Sequence, residues 1–222
     1  MQLYKQKDKF EICIDEAGRG CMAGPVYAAA VIWSKDSSID SSLIKDSKKL
    51  SAKKREILAP YIKQNAVAFG IGSATAEEID KFNILEATYM AMHRAISAIE
   101  ETRDITQNHT LLVDGKWFKP YWLKSNDILE HECVTKGDSI YTGIAAASIL
   151  AKVHHDRHIK KICSENPRYA YLYNWDKNMC YGTAQHMNAI RENGITKLHR
   201  KSFGICATSN LISENDITHT GV

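Results

Sequence analysis

Phe10-Glu11-Ile12-Cys13-Ile14-Asp15-Glu16-Ala17-Gly18-Arg19-Gly20-Cys21-Met22-Ala23-Gly24-Pro25-Val26 joins two patterns end to end. Up to Asp15 the residues alternate, with Phe10, Ile12 and Ile14 on one face and Glu11, Cys13 and Asp15 on the other. That period predicts a β-strand with an acid at its tip. Gly18, Gly20 and Gly24 then surround one arginine, Arg19. A strand end can hold Asp15 and Glu16 rigidly for a hard cation, glycines let backbone N–H groups approach phosphate oxygens, and a guanidinium is a forked phosphate donor. Metal-dependent phosphate chemistry is the reading this stretch favours. A solvated turn is the plainer account of Arg19, since a lone G-x-G is a weak signal.

Outward from this stretch, Pro25 to Trp33 is a continuous Val/Ala/Ile run and Ala66 to Ser73 a third strand candidate, most economically joined as a meander. Ser51 is placed to cap a helix through about Lys63. Lys53 and Lys54 fall in its first turn, where the helix dipole disfavours cations, so solvent screens them or they face an anion. Leu85, Met92, Ile96 and Ile99 mark an amphipathic helix over 83–101. Strands over 110–113 and 128–135 end in Asp114-Gly115 and Lys136-Gly137-Asp138. A helix runs from Ile144 to about Cys163, an aromatic stretch over 166–182 reads as irregular, and a last helix is capped by Thr183 and ended by Gly194. Strands before and between helices imply a mixed α/β fold. No composition shift forces a boundary, so 1–203 reads as one domain including a helical C-terminal segment, and 204–222 as a polar, flexible tail.

The 222 residues, 44% of them hydrophobic, suffice for a sizeable core. Lysine and arginine total 29 against 26 acids, and a net charge of +3 is too small to announce a nucleic-acid binder. Cys13, Cys21, Cys133, Cys163, Cys180 and Cys206 contain no C-x-x-C pair and no secreted-domain spacing, which fits reduced thiols in the cytoplasm. The charged start, Lys5-Gln6-Lys7-Asp8-Lys9, lacks a signal-peptide core, and no window approaches a membrane span.

Asp15, Glu16, Asp114 and Asp138 all stand at strand ends or before a helix. Two such charges about 4 Å apart repel by roughly 4 kcal/mol at an effective dielectric near 20, so a converging cluster needs a cation or bound protons. Mg2+ or Mn2+ suits such oxygen ligands, and two ions can serve the attacking water and the leaving oxygen of a phosphodiester. The competing reading is ordinary turn acids, Asp before Gly being a turn signal. Lys48 and Lys49 are phosphate contacts or surface charges. Ser148 and Lys152, four apart on one helix, reach a phosphate or line a solvent edge. Tyr181-Gly182-Thr183 offers an aromatic plate beside a helix N-terminus, or a buried tyrosine with a capping threonine. His154, His155 and His158 have helical metal-ligand spacing but no third ligand nearby, which favours a polar helix face.

Together these segments resemble the ribonuclease HII family, the type 2 bacterial ribonucleases H, from about Phe10 to Phe203. The matching stretches are IDEAGRGCMAGPVYAAAVI at 14–32, DSKKLS at 46–51, NILEATYMAM at 83–92, LLVDG at 111–115, KGDSIYTGIAAASILAKVHHDR at 136–157, YGTAQH at 181–186 and HRKSF at 199–203. The resemblance implies an RNase H-like mixed sheet flanked by helices, with a helical C-terminal segment that helps grip the duplex. It makes Asp15, Glu16, Asp114 and Asp138 the metal-binding catalytic acids, Gly18, Arg19 and Gly20 the backbone contact at an RNA–DNA junction, and Tyr181 the ring that stacks on the sugar there.

It further implies a Mn2+- or Mg2+-dependent endoribonuclease of RNA–DNA hybrids that also cuts 5′ of single ribonucleotides in duplex DNA, leaving 3′-hydroxyl and 5′-phosphate ends. A monomer without membrane association is expected, with a sliding-clamp contact sought in the tail. Other RNase H-like nucleases share the acids but lack the 2′-OH reader, and a non-catalytic hybrid-binding module would have lost an acid. Type HIII enzymes carry an extra N-terminal domain, for which the residues before Phe10 leave no room. The chain departs from the family at Met179-Cys180, where Lys-Gly is usual, and at Cys21, where proline is frequent. The first departure should weaken a phosphate contact and restrict the loop before Tyr181.

Overall fold

The alternating stretch forms β1 (Phe10–Ala17), the middle strand of a five-stranded sheet in a computed structural model that describes residues 1–212. The other strands are β2 (Val26–Ile32), β3 (Ala68–Ala74), β4 (His109–Asp114) and, beyond a two-stranded ribbon of β5 (Tyr121–Trp122) and β6 (Ile128–Leu129), β7 (His131–Val134). Their order is β3-β2-β1-β4-β7, so the expected meander occupies one side of β1. β1 pairs antiparallel with β2 and parallel with β4, and β4 pairs parallel with β7: a mixed sheet.

The helices are α1 (Ala52–Asn65), α2 (Ala76–Glu100), α3 (Thr142–Glu165), α4 (Pro167–Tyr173), α5 (Trp175–Asn178) and α6 (Ala184–Asn193). Ser51 caps α1, its hydroxyl accepting from the Lys54 N–H at 3.3 Å, and Thr183 caps α6 through His186 N–H at 3.2 Å. The helix expected from residue 83 is the second part of α2. Asn83 breaks the helix with a φ of 68°, and its side chain accepts from the N–H groups of Leu85 and Glu86, which restarts it. Two of the expected secondary-structure assignments differ from the structure. The aromatic stretch 166–182 contains α4 and α5, because Pro167 sits at a helix N-terminus and Tyr169, Tyr173 and Trp175 are buried. The strand expected over 128–135 is interrupted between β6 and β7.

The chain divides into two compact units. The first holds Met1–Ala17, Tyr27–Ser73 and Thr88–His154, with the sheet as its frame. One of its cores sets Ala29, Val31 and Trp33 of the β2 region with Leu58, Ala59 and Ile62 of α1 and Ala145, Ala146, Ala147, Ile149, Leu150 and Ala151 of α3. Alanines at 145, 146, 147 and 151, all fully buried, let the α3 backbone approach closely.

The second unit holds Gly18–Val26, Ala74–Ala87 and the chain from His155 onward. Its core gathers Tyr169, Tyr173, Trp175, Cys163, Cys180, Ile190 and Cys206. The tail expected from residue 204 begins later: Gly204–Thr208 forms a 3-10 turn with Cys206 buried, and the Ile195 N–H donates to Asn210 O at 2.8 Å. Burial of Cys206 and pairing of Ile195 with Leu211 hold this stretch. The rest of the expected tail, 213–222, lies outside the described residues.

Candidate active site

In the first unit, parallel pairing brings the acids together. β1 and β4 run in register with Ile14 opposite Val113, so the next positions on the two strands are Asp15 and Asp114. In-register neighbours project to the same side of a sheet, the side on which Cys13 and Leu112 pack against Ile144 of α3. Asp15 is buried, accepts from the Glu16 N–H at 2.7 Å, and takes a hydrogen bond from Ser148 of α3. Asp114 accepts from the Gly137 N–H at 2.7 Å and from the Asp138 N–H. That fixes the short 3-10 turn Gly137–Ser139 carrying Asp138, which opens from Lys136 in the left-handed conformation (φ 59°).

These carboxyls disturb one another. Burial pushes Asp15 well above the usual carboxylate range, and the charges of Glu16 and Asp114 push it further. Burial also raises Asp114. Asp138 is raised by burial, then by Asp114 and Asp46, and shares a hydrogen bond with Asp46, which needs a proton between two carboxyls. Lys48 Nζ, 4.0 Å from Asp138 Oδ2, offsets part of this charge from an exposed position. Among the described residues no three acid, histidine or cysteine donors form a ready cage for a metal ion. The donor set nevertheless suits Mg2+ or Mn2+, which take oxygen ligands, bind through one or two carboxylates, and complete their shell with water and substrate phosphate.

The second unit builds the glycine turn. Gly18 has a φ of +83°, and a Cβ there would collide with the His155 ring, 2.6 Å from Nε2, so no other residue fits. His155 is fully buried. Its Nδ1 donates to Asp156 Oδ1 at 3.0 Å, which leaves Nε2 as acceptor toward Cys21 Sγ at 3.4 Å. Arg200, also fully buried, donates through Nη2 to Gly18 O (2.7 Å), Nη1 to Arg19 O (2.8 Å) and Nε to Gly24 O (3.0 Å). Carbonyl oxygens on both sides of the turn thus meet one guanidinium, and Gly20 and Arg19 are left exposed. The Gly18 N–H donates to the Tyr181 hydroxyl, joining two features that lie far apart in sequence.

Tyr181 is positioned from behind by two neutral imidazoles. His186 Nδ1 donates to Tyr181 O at 3.0 Å, so its Nε2 accepts from Trp175 Nε1 (3.0 Å) and from His199 Nε2 (3.3 Å). His199 Nδ1 in turn accepts from the Thr196 N–H at 3.0 Å. Burial lowers both histidines, His199 to about 3. Met179 and Cys180 both take the left-handed conformation (φ 49° and 64°). The expected restriction of this loop is therefore stored as strain of about 1–2 kcal/mol per residue.

A family model described as Ribonuclease HII matches residues 12–206. The chain belongs to the ribonuclease HII family. It is similar to the ribonuclease HII of Phocaeicola vulgatus, 43% identical over 92% of this chain and 94% of that protein. To that of Christiangramia forsetii it is 45% identical over 85% and 87%. Among solved structures it resembles a PCNA:RNase HII complex from Archaeoglobus fulgidus (TM-score 0.67, 24% identity, 93% of this chain and 99% of that one). It also resembles Bst-RNase HIII in complex with Mn2+ (TM-score 0.65, 18% identity, 84% and 63%). These two likenesses show the fold, an RNase H-like mixed sheet flanked by helices. As a ribonuclease HII the protein is a hydrolase, an endonuclease acting on the RNA strand of RNA–DNA hybrids.

Among the residues expected to bind substrate in this ribonuclease HII, Lys48 and Lys49 are exposed near Asp138 and Ser139, Lys49 Nζ lying 3.5 Å from Ser139 Oγ. Lys152 is half-buried on α3. Ser148 differs from expectation: it is buried, 2.7 Å from Ser47 Oγ and bonded to Asp15, so it supports an acid instead of meeting a phosphate. Arg200, His186 and Asp46 went unassigned in the sequence, and His155, read there on a polar helix face, is instead fully buried against the glycine turn; all four lie inside the quoted family stretches. Nothing local to HRKSF says that its arginine turns inward.

Replacing Arg200 by lysine, whose single ammonium cannot span three carbonyls, should lower the unfolding free energy by roughly 2–5 kcal/mol. Urea denaturation checks this, and an unchanged midpoint would contradict the clamp. A second outcome concerns pH. Because His199 binds its proton less readily folded than unfolded, the unfolded state holds more protons between about pH 6.5 and 3, and stability falls as pH drops through that window. Asp15, raised in the fold, has the opposite sign. The difference in melting temperature between wild type and His199→Gln isolates the histidine, and it should narrow from pH 7.5 to 4.5. A constant difference would show that neutrality of His199 contributes nothing.

Proposed function

We propose that this ribonuclease HII cuts duplex DNA on the 5′ side of a single embedded ribonucleotide, as well as longer hybrids, by hydrolysis that leaves 3′-hydroxyl and 5′-phosphate ends. The observation that carries this reading is the glycine turn held by Arg200 and joined to Tyr181 through the Gly18 N–H. A ribose 2′-OH is the one group that separates such a substrate from DNA, and fixed backbone groups read it without reference to base identity. Gly18 is buried with its amide and carbonyl engaged internally, so the exposed Arg19 and Gly20 meet the substrate strand. The half-buried Tyr181 ring, its hydroxyl anchored and its carbonyl held by His186, packs against the sugar.

Asp15, Glu16, Asp114 and Asp138 would hold the divalent ions. When bound, two Mg2+ or Mn2+ ions would supply a water of lowered pKa and neutralise charge on the leaving oxygen. The protein's own part is to hold the acids in place, their charge left for the cation to offset. Ser148 and the Glu16 N–H orient Asp15, Gly137 and Asp138 orient Asp114, and Lys48 stands beside Asp138 toward the phosphate backbone. In this reading the protein acts as a cytoplasmic monomer in removing ribonucleotides from DNA. The Archaeoglobus fulgidus complex with PCNA supports looking for a sliding-clamp contact toward the end of the chain.

Asp15→Asn and Asp114→Asn should each reduce incision of a duplex bearing one ribonucleotide by at least about 10³-fold, because each removes a charged ligand from the ions that would act on the reacting phosphate. Binding measured by gel shift in chelator should stay within a few fold. Wild-type products mapped 5′ of the ribonucleotide support the reading. Cutting elsewhere, equal cutting of an all-DNA duplex, or full turnover in either variant would overturn it.

A further inference from the structure

Directly after Asp114 the chain reads Gly115-Lys116-Trp117-Phe118-Lys119-Pro120-Tyr121-Trp122-Leu123-Lys124, three lysines and four aromatic residues with no acid. The charge of this one stretch equals the +3 of the whole chain. We propose that it is a second nucleic-acid contact, in which Trp117 and Trp122 pack on the sugars of the duplex flanking the cut while the lysines meet its phosphates. The inference rests on the reading of the acids as the cleavage site.

The segment is pinned from below. The Phe118 ring packs edge-on against Tyr89 (6.2 Å), His93 (5.3 Å) and His131 (5.3 Å). The Tyr121 hydroxyl and the Lys124 N–H both donate to Glu100, each at 2.8 Å, and His93 Nε2 donates to Lys119 O at 2.8 Å. Tyr121 and Leu123 are buried while Lys119, Pro120, Trp122 and Lys124 are exposed. The inward aromatic rings therefore hold a rigid base, and the outward positions present indole and ammonium groups.

Trp117 is 78% exposed and Trp122 60%, whereas the other two tryptophans, Trp33 and Trp175, are buried. Ile128, opposite Trp122 across the β5–β6 ribbon, is exposed as well. Indoles kept in water beside lysines suit a ligand with both apolar faces and negative charge, which describes a nucleic-acid strand. Chain length fixes the distance. Trp117 lies three residues beyond Asp114, so its Cα is within about 11 Å of the acid's. With about 3.4 Å per nucleotide along one strand, this is within roughly three nucleotides of a phosphate held there. Such contacts ignore sequence, as an enzyme that cuts wherever a ribonucleotide occurs requires.

The test uses the full chain and a ribonucleotide-bearing duplex. In chelator, the duplex should shield wild-type tryptophan fluorescence from acrylamide, and Trp117→Phe with Trp122→Phe should remove most of that shielding, since the remaining indoles are buried. In steady-state cleavage, the double alanine variant should raise KM by about 5- to 100-fold with kcat within about twofold. Lys116→Gln with Lys119→Gln should flatten the dependence of binding on salt. A double alanine variant with wild-type KM and wild-type affinity in chelator would overturn the proposal. Failure of wild type to cut any ribonucleotide-bearing duplex would instead overturn the reading of the acids.

Discussion

Like charge placed side by side at the junction of β1 and β4 is the constraint on which the rest of this protein depends. Parallel register sets Asp15 next to Asp114, and no rotation of either strand can separate them without losing the pairing from Phe10 to Ile14. Each neighbouring element bears on that conflict. α3 supplies Ser148 to Asp15, the turn after β7 supplies N–H groups to Asp114, and Lys48 brings the nearest cation to Asp138. None of these cancels the charge, and all the shifts run upward. A site kept short of positive charge in this way is strained alone, and in the proposed reading a divalent ion and a phosphate would complete it.

In the second unit Arg200 solves a different problem. A turn with exposed Arg19 and Gly20 would be mobile on its own, and the proposed reading of a single hydroxyl requires it to be rigid. One guanidinium bonded to three carbonyls gives that rigidity from inside. Its charge is met by dipoles, and burial pushes its pKa down without removing the proton. The histidines behind Tyr181 do the same for the ring, provided they stay neutral.

Much of this was legible in the sequence where a local pattern carries the information. The alternation of Phe10 to Asp15, the caps at Ser51 and Thr183, and the position of the acids at or just beyond strand ends were all readable from local pattern. What was not legible depends on long-range packing. Ser148 looks like any helix-surface hydroxyl until Ser47 covers it. Arg200 sits in a polar run, His-Arg-Lys-Ser, that gives no sign of an inward side chain. The aromatic stretch before Tyr181 reads as irregular because its helices are one or two turns long and held by burial of Tyr173 and Trp175. Trp117 and Trp122 failed to stand out because exposure, unlike composition, is a property of the folded chain.

The measurement that most directly tests whether the carboxylate cluster is poised for a cation is thermal melting of wild type and Asp114→Asn, in chelator and in Mn2+. Removing one of the repelling charges should make the variant melt above wild type in chelator, and Mn2+ should raise wild type while leaving the variant nearly unmoved. A variant that melts lower in chelator, or that gains as much from Mn2+ as wild type does, would contradict the account.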